Sequence, residues 1–250
     1  MTQPQPRRRL IIWWTFGALA IASATAWGAF DTVKGNGKIV KQTRPLAAFT
    51  GIALSLPAQV DVRIGNTESV TIEVDENLLA LVETPVEKGT LEIRAKKGVN
   101  IEARSIKVTV QARQIDRLAL GGAGTIDTDA LRAPKLLLEV GGSGSINVKS
   151  TESEIVSAAL GGSGSVKLAG GNTRKLSVSI GGSGDVHAGQ LKASDVEVSI
   201  GGSGDATVWA SNALQAAVAG SGDVNYYGDP KVQTSVVGSG GAKRLGPAPR

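Results

Sequence analysis

Three aspartates occupy matching places in the second half of the chain and could together hold a cation. Asp185, Asp205 and Asp223 each follow a Gly-Ser-Gly sequence, at nearly equal intervals. If each interval is one turn of a repeat, neighbouring carboxylates lie about 4.8 Å apart and repel each other by roughly 0.9 kcal/mol in water. However, the calcium-binding Gly-Gly-x-Gly-x-Asp repeat places its aspartate one position later. We therefore interpret the three as solvated turn residues, with a metal site as the less favoured alternative.

Two further candidates, taken separately, are the single histidine and a set of three aromatic residues. His187 is the only histidine, and its repeat position elsewhere carries Asp, Asn, Lys or Thr, so the spacing does not indicate a Ser-His-Asp arrangement. The aromatic residues of the repeats are Trp209, Tyr226 and Tyr227. They fall on two neighbouring repeats. We predict that they pack at the end of the structure, and a small binding patch is the alternative.

The element that positions these residues is a glycine-marked repeat. Gly-Gly-Ala-Gly at 121–124 is followed by four evenly spaced copies of Gly-Gly-Ser-Gly, the first at Gly141, and by two Gly-Ser-Gly copies at slightly shorter intervals, at Gly220 and Gly238. A chain that turns sharply in every repeat needs a residue that tolerates positive φ or a close backbone approach, and that residue is glycine. We therefore predict structural turns at Gly122, Gly124, Gly142, Gly144, Gly162, Gly164, Gly182, Gly184, Gly202, Gly204, Gly220, Gly222, Gly238 and Gly240.

Aliphatic residues keep register with the glycines in three columns, which begin at Leu120, Ile126 and Leu136. Between the columns, apolar residues alternate with small or polar ones, as in residues 176–180. Alternation with a period of two predicts short strands with one apolar face. A single repeat is so short that it buries that face only by stacking on its neighbours. The sequence therefore predicts an all-β protein, a right-handed parallel β-helix (β-solenoid) with repeats of about 20 residues.

The rest of the chain divides by composition. Residues 49–117 alternate like strands but lack the Gly-Ser-Gly turn, so we predict an N-terminal β-helix cap and early repeats there. Residues 118–245 form the repeat region. Residues 31–48 are rich in Lys, Gly and Gln, which predicts a tether. Residues 246–250 form a tail whose two prolines cannot continue a sheet.

The N-terminus has the pattern of an export signal. Three arginines at 7–9 precede an apolar stretch that extends from Leu10 to about Phe30. Small residues at 22–26 offer cleavage sites, and the stretch is also long enough to cross a bilayer. Residues 1–30 are therefore a signal peptide or a signal-anchor helix. Because positive charge stays on the cytoplasmic side, we expect the remainder to be periplasmic or on the cell surface, with any membrane anchorage through residues 10–30.

Composition excludes several classes of function. The formal net charge is +5, but residues 7–9 supply three of the 27 basic residues and no other basic run exists, so nucleic-acid binding is not indicated. The chain has no cysteine, which excludes disulfides, thiolate metal sites and a cysteine nucleophile. We expect no cofactor, no catalytic residue, and membrane contact only through the N-terminal segment.

Two kinds of function remain. The first is a non-catalytic, exported cell-envelope module that presents a surface for interaction or adhesion, with an unknown envelope protein or polysaccharide as its partner. The alternative is a carbohydrate-active β-helix enzyme that acts on envelope or extracellular polysaccharide. Because active sites are mostly built on long loops and the segments between the predicted strands are short, we favour the non-catalytic module.

Several short motifs point to a known family. They are Phe49-Thr50-Gly51-Ile52, Val60-Asp61-Val62, and Val74-Asp75-Glu76-Asn77-Leu78 leading to residues 89–93, followed by the chain of Gly-Ser-Gly turns. With these motifs the sequence resembles the bacterial head GIN domain family, described as autotransporter adhesins, over about residues 46–245. The resemblance implies a right-handed β-helix and a cell-envelope location, and it supplies no catalytic residues.

Overall fold

The computed structural model describes residues 31–249. The segment predicted to be a signal peptide or anchor helix, residues 1–30, lies outside the described residues. Within residues 31–249, no helix is both long enough and apolar enough to cross a membrane.

The first part of the described chain consists of short strands and one 3-10 turn at Leu79–Leu81. The strands are β1 (Asp31–Lys34), β2 (Ile39–Pro45), β3 (Gly51–Leu54), β4 (Gln59–Ile64), β5 (Ser69–Asp75), β6 (Val82–Glu83), β7 (Val86–Glu87), β8 (Thr90–Ala95), β9 (Val99–Glu102), β10 (Lys107–Ala112) and β11 (Arg117–Leu120).

The repeat region consists of long strands that bend around the corners of the molecule. They are β12 (Thr125–Val140), β13 (Ser145–Leu160), β14 (Ser165–Leu168), β15 (Gly171–Ile180), β16 (Asp185–Gly202), β17 (Ala206–Gly220), β18 (Asp223–Tyr227), β19 (Lys231–Gly238) and β20 (Gly241–Gly246).

These strands stack in parallel as a β-solenoid, which confirms the predicted fold class. Each turn of the solenoid, here called a rung, pairs in register with the next, so that Ile126 lies opposite Ile146 and Leu136 lies opposite Val156. The offset between paired residues is constant through most of the stack and becomes shorter after β16, where Val196 lies opposite Leu214. The right hand of the helix stays a prediction.

The core is made of the aliphatic columns that the sequence shows. Leu136, Val156 and Leu176 are fully buried and lie one above another. Alternate residues point outwards, which explains the period of two. Because each rung covers the apolar face of the rung before it, burial of about 25 cal/mol per Å² of apolar surface accumulates along the stack.

The N-terminal rungs are not stacked in chain order. The rung of β3 and β4 pairs on one side with β11 and β12, and on the other side with β8 and β10, which come later in the chain than β4. Beyond β10, strands β5 and β2 pair antiparallel. The change from parallel to antiparallel pairing ends the stack on that side.

The predicted tether at residues 31–48 is wrong, because this segment forms two strands. β1 pairs with β9, and β2 pairs with β5 over its whole length. The loop between them is fastened by Asp75, a buried residue whose Oδ1 accepts a hydrogen bond from the Gly37 N–H at 2.6 Å. Asn77 also accepts from the Asn36 N–H at 3.0 Å. Composition alone concealed these contacts, since the partners lie far away in the sequence.

Two different constraints act on the glycines of the Gly-Ser-Gly segments, here called the corners. At Gly182 φ is not positive, but a Cβ would lie 2.4 Å from the carbonyl oxygen of Gly162 on the previous rung. At Gly202 a Cβ would meet the carbonyl oxygen of Gly182 at 2.3 Å, and φ is also +150°. Close approach between rungs is thus common to both corners, and positive φ is added only in the later one.

Candidate functional site

The three aspartates, interpreted from the sequence as solvated turn residues and less favourably as cation ligands, form a ladder along one corner of the solenoid. Asp185 Oδ1 accepts a hydrogen bond from the backbone N–H of Asp205 at 3.0 Å, and Asp205 Oδ1 accepts from the N–H of Asp223 at 2.8 Å. The carboxylate of Asp223 continues the series with the N–H of Gly241, also at 2.8 Å. Each carboxylate is therefore a structural acceptor for the following rung, a role that the sequence analysis did not foresee.

Earlier rungs satisfy the same N–H groups in another way. The N–H of Ser145 donates to the carbonyl of Gly124, and that of Ser165 donates to the carbonyl of Gly144, both at 3.0 Å. Across residues 31–249, no three side chains of His, Cys, Asp or Glu are grouped so that they could hold a metal ion. The ladder thus offers a cation only carboxylates that already accept backbone hydrogen bonds.

A more promising site arises where the rungs become shorter, between β16 and β17. The register shifts there, because Ala188 pairs with Val208 and Lys192 pairs with the next residue, Trp209. Residues 189–191 therefore have no counterpart on the following rung. Leu191 fills the core and is fully buried, whereas the two residues before it overhang the shorter rung. We call the recess beside this overhang the step cleft.

The step cleft has a volume of about 450 Å³. Its lining is formed by Lys167, Leu168, Ala169, His187, Gly189, Gln190, Thr207, Tyr227 and Pro249. The half-buried Tyr227 belongs to β18, yet its ring extends back across β17 to the overhang. A Cβ on Gly189 would lie 3.3 Å from Tyr227 Cε2 and 3.1 Å from Thr207 Cγ2. The absent side chain at position 189 therefore leaves the space in which the tyrosine ring rests.

Polar groups of three kinds stand side by side along one wall of the cleft. Lys167, His187 and Thr207 lie directly opposite each other on successive strands, about 4.8 Å apart. They present an ammonium, an imidazole and a hydroxyl group. Among residues 31–249, no carboxylate lines the cleft, so this wall offers a positive charge and hydrogen-bond donors to whatever enters the cleft.

Lys167 differs from most of the cations on neighbouring rungs. Four of those cations pair with an acidic residue one rung away, in the pairs Arg132–Glu152, Lys149–Asp129, Arg174–Glu154 and Lys175–Glu197. Lys167 is exposed and has no ion-pair partner among residues 31–249. Its charge is therefore available to a ligand.

Comparison with known proteins identifies the family. Residues 48–230 match the family described as "Putative auto-transporter adhesin, head GIN domain". The chain belongs to this family. No curated protein sequence matches the chain significantly.

Solved structures have the same fold. A "putative adhesin" from Bacteroides fragilis has a TM-score of 0.81 at 24% identity, over 85% of this chain and 100% of that one. A "putative lipid binding protein" from Parabacteroides distasonis has a TM-score of 0.72 at 23% identity, over 86% and 100%. A "putative adhesin" from the same species has a TM-score of 0.67 at 25% identity, again over 86% and 100%.

The three aromatic residues in the repeats of this head GIN domain have different environments. Tyr226 packs against the core on the inner side of β18. Trp209 lies under the ammonium group of Lys192, whose Nζ is 5.8 Å from the ring centre. Tyr227 alone lines the step cleft. One of the three residues thus forms part of a candidate binding site, while the other two have structural contacts.

A second recess of the domain lies on the face formed by β13, β15, β16, β17 and β19. It is a shallow trough in two parts of about 360 and 340 Å³. Its walls are mostly Ser, Ala and Gln, and its one acidic residue, Glu197, pairs with Lys175 at 3.0 Å. Because this charge is already paired, the trough has no free charged group to select a ligand.

The step cleft was not predicted from the sequence, although a signal for it was present. His187 and Tyr227 are unusual residue types in the repeats, but they are far apart in the chain and were not expected to lie together. The signal was the shortening of the repeat after Gly202, since a shorter rung beside a longer one must leave part of the longer rung uncovered.

Proposed function

We propose that this head GIN domain protein is an exported, non-catalytic module of the cell envelope that mediates adhesion through the surface of its solenoid. The observation that carries the proposal is the continuous parallel stack, whose corners between successive rungs are only a few residues long. Such a stack holds its outward columns at fixed spacings. It is therefore suited to presenting a surface, and the adhesin family to which the chain belongs supports that role.

The distribution of carboxylates argues against the alternative of a polysaccharide-cleaving enzyme. Glycoside hydrolysis generally needs two carboxyl groups on either side of the scissile bond. Among residues 31–249, the step cleft is lined by no carboxylate, and the trough has only the paired Glu197. A third recess, beside the loop between β1 and β2, contains Asp75 and Glu102, but Asp75 accepts a hydrogen bond from the Gly37 N–H and Glu102 pairs with Lys34. The carboxylates of these recesses are thus already engaged within the fold.

Export is supported by the N-terminal sequence. Three arginines precede an apolar stretch, and this order favours a location of the following domain outside the cytoplasm. A fusion of alkaline phosphatase, which is active only outside the cytoplasm, to the C-terminus of the full chain is expected to be active. The matched control lacks residues 2–30 and is expected to be inactive at equal expression.

Adhesion is tested by co-sedimentation of the purified full chain with isolated bacterial envelopes. We expect saturable binding that leaves the envelope polysaccharide intact. A silent phosphatase fusion that is nevertheless expressed would contradict export. Absence of envelope binding would contradict adhesion, and release of soluble saccharide would show an enzyme.

A further inference from the structure

We infer that the step cleft binds an acidic saccharide, with a sugar ring against Tyr227 and its acidic group at Lys167. This inference deepens the proposed function by naming a ligand class for the adhesive surface, and it rests on that function only for its biological setting. The volume of about 450 Å³ lies within the range of about 300–1,000 Å³ that is typical of small-ligand sites.

The tyrosine is held in a position that suits contact with a sugar. Tyr227 is half-buried, and its ring lies against Gly189, where the absent side chain leaves room. A ring fixed by packing offers a large contact area while losing little conformational entropy on binding. Its negative π face attracts the weakly positive C–H groups on the face of a pyranose ring.

The wall of the cleft formed by Lys167, His187 and Thr207 favours a ligand with an acidic group. Lys167, His187 and Thr207 follow one another at the strand spacing, and no carboxylate among the described residues of the lining competes for them. Lys167 has no partner among the described residues, whereas four neighbouring cations are paired. A carboxylate on the ligand would give this ammonium group a charge-assisted hydrogen bond. A neutral sugar would leave the charge unused.

The single histidine provides a direct test. In protein purified with a tag that contains no histidine, the ring Cε1–H signal of His187 in the NMR spectrum of the imidazole reports on the step cleft alone. The probe is a hyaluronan tetrasaccharide, which carries glucuronate, and the neutral control is chitotetraose. We expect the hyaluronan probe to shift the His187 signal saturably. Chitotetraose should bind at least about tenfold more weakly, as measured by the same signal.

Variants separate the two contacts. Tyr227→Ala is expected to weaken binding about tenfold, and Tyr227→Phe, which keeps the ring, is expected to stay within about twofold of the wild type. Lys167→Gln should remove the preference for the acidic probe. Gly189→Ala should weaken binding, because its methyl group would displace the ring. The matched control is Lys135→Gln, which removes an exposed lysine outside the cleft and should leave binding unchanged.

The outcomes distinguish this inference from the proposed function. If neither probe shifts the His187 signal and Tyr227→Ala binds envelopes as well as the wild type does, the inference is overturned while adhesion stands. Equal, Tyr227-dependent binding of both probes overturns the selection of an acidic group. If the wild type binds no envelope, adhesion fails, whereas a Tyr227- and Lys167-dependent shift with the acidic probe would still support the site.

Discussion

The rungs before residue 185 and the rungs after it share the same Gly-Ser-Gly corners but are joined differently. In the early rungs the residue after the corner is Ser or Thr, and its N–H donates to a backbone carbonyl, as for Ser165 and Gly144 at 3.0 Å. In the late rungs it is Asp, apart from Gly241 in the last one, and the N–H of the next rung donates to the carboxylate, as for Asp223 and Asp205 at 2.8 Å.

The backbone changes together with the hydrogen bond. Gly182 in the early part has no positive φ, whereas Gly202, Gly220 and Gly238 have φ of +150°, +142° and +130°. The core positions 206 and 216 of the shorter rung are both alanines. The comparison teaches that a carboxylate can replace a backbone carbonyl where a shorter rung alters the course of the corner.

The largest effect is expected where the two parts agree, at the close approach between rungs. Gly182→Ala should destabilise the protein by about 4 kcal/mol, because the new Cβ would lie 2.4 Å from the Gly162 carbonyl oxygen in a stack that has little freedom to move. Denaturant unfolding measures the change. The matched control is the adjacent Gly181→Ala, whose Cβ would be 3.7 Å from its nearest neighbour and should cost less than about 1 kcal/mol. Equal effects at the two positions would contradict close approach as the reason for glycine.

The next effect tests whether the core is continuous from the early rungs to the last one. Leu176 and Val232 belong to the same column, but Leu176 is fully buried and Val232 is 40% exposed, because β19 pairs only with β17 among residues 31–249. Leu176→Ala should cost about 3 kcal/mol, and Val232→Ala less than about 1 kcal/mol. Both values come from the shift in denaturant midpoint at constant slope. A large cost at Val232 would mean that another molecule covers this end.

Most of the fold could be predicted from the sequence because the length of the repeat and the spacing of its apolar residues indicate the length of each rung and its stacking. Leu120, Ile126 and Leu136 each begin a column. Because the aliphatic residues of a column keep the same place in every repeat, they are buried together only if the repeats stack. The rung of β8 and β10 could not be placed in this way. It lies outside the rung of β3 and β4, and no repeat in residues 49–117 encodes that order.

The candidate site was less predictable, since its parts meet through a difference between rungs. The sequence marks Tyr227 and His187 as unusual residue types but does not show that the tyrosine ring crosses a whole rung to reach Gly189. The aspartates were visible for the opposite reason, because they repeat. Their role as backbone acceptors was still missed, since it depends on which N–H lacks a carbonyl partner.

A smaller effect distinguishes the two kinds of corner. Asp205→Ala removes the acceptor of the Asp223 N–H and should destabilise the protein by about 1 kcal/mol. The loss is limited because the carboxylate is exposed and because repulsion from Asp185 and Asp223 is also removed. Asp205→Asn keeps Oδ1 and should be neutral or slightly stabilising. In the early part, Ser165→Ala should change stability by less than about 0.5 kcal/mol, since the side chain of Ser165 makes no hydrogen bond within residues 31–249. A loss for Asn as large as that for Ala would show that charge, and not the acceptor, matters.

The smallest effect concerns a carboxylate of the early part that bonds a side chain and not the backbone. Asp129 accepts a hydrogen bond from Lys149 on the next rung, and this bond, together with the lysine's charge, lowers the pKa of Asp129 below its ordinary value. Because the folded-state pKa is the lower one, the pair stabilises the fold fully above the ordinary aspartate pKa near 4 and loses this contribution as the pH falls through the folded-state pKa. We therefore expect the difference in melting temperature between the wild type and Asp129→Asn to be largest near pH 7 and to shrink as the pH falls below about 4.

The effect should also be small and reduced by salt, since the pair is exposed. In a Lys149→Gln background, Asp129→Asn should lose most of this pH dependence, because the partner that lowers the pKa is gone. If the pH dependence persists there unchanged, the lowered pKa of Asp129 does not come from Lys149. The carboxylate would then be stabilised mainly by the backbone, as the carboxylates of the late rungs are.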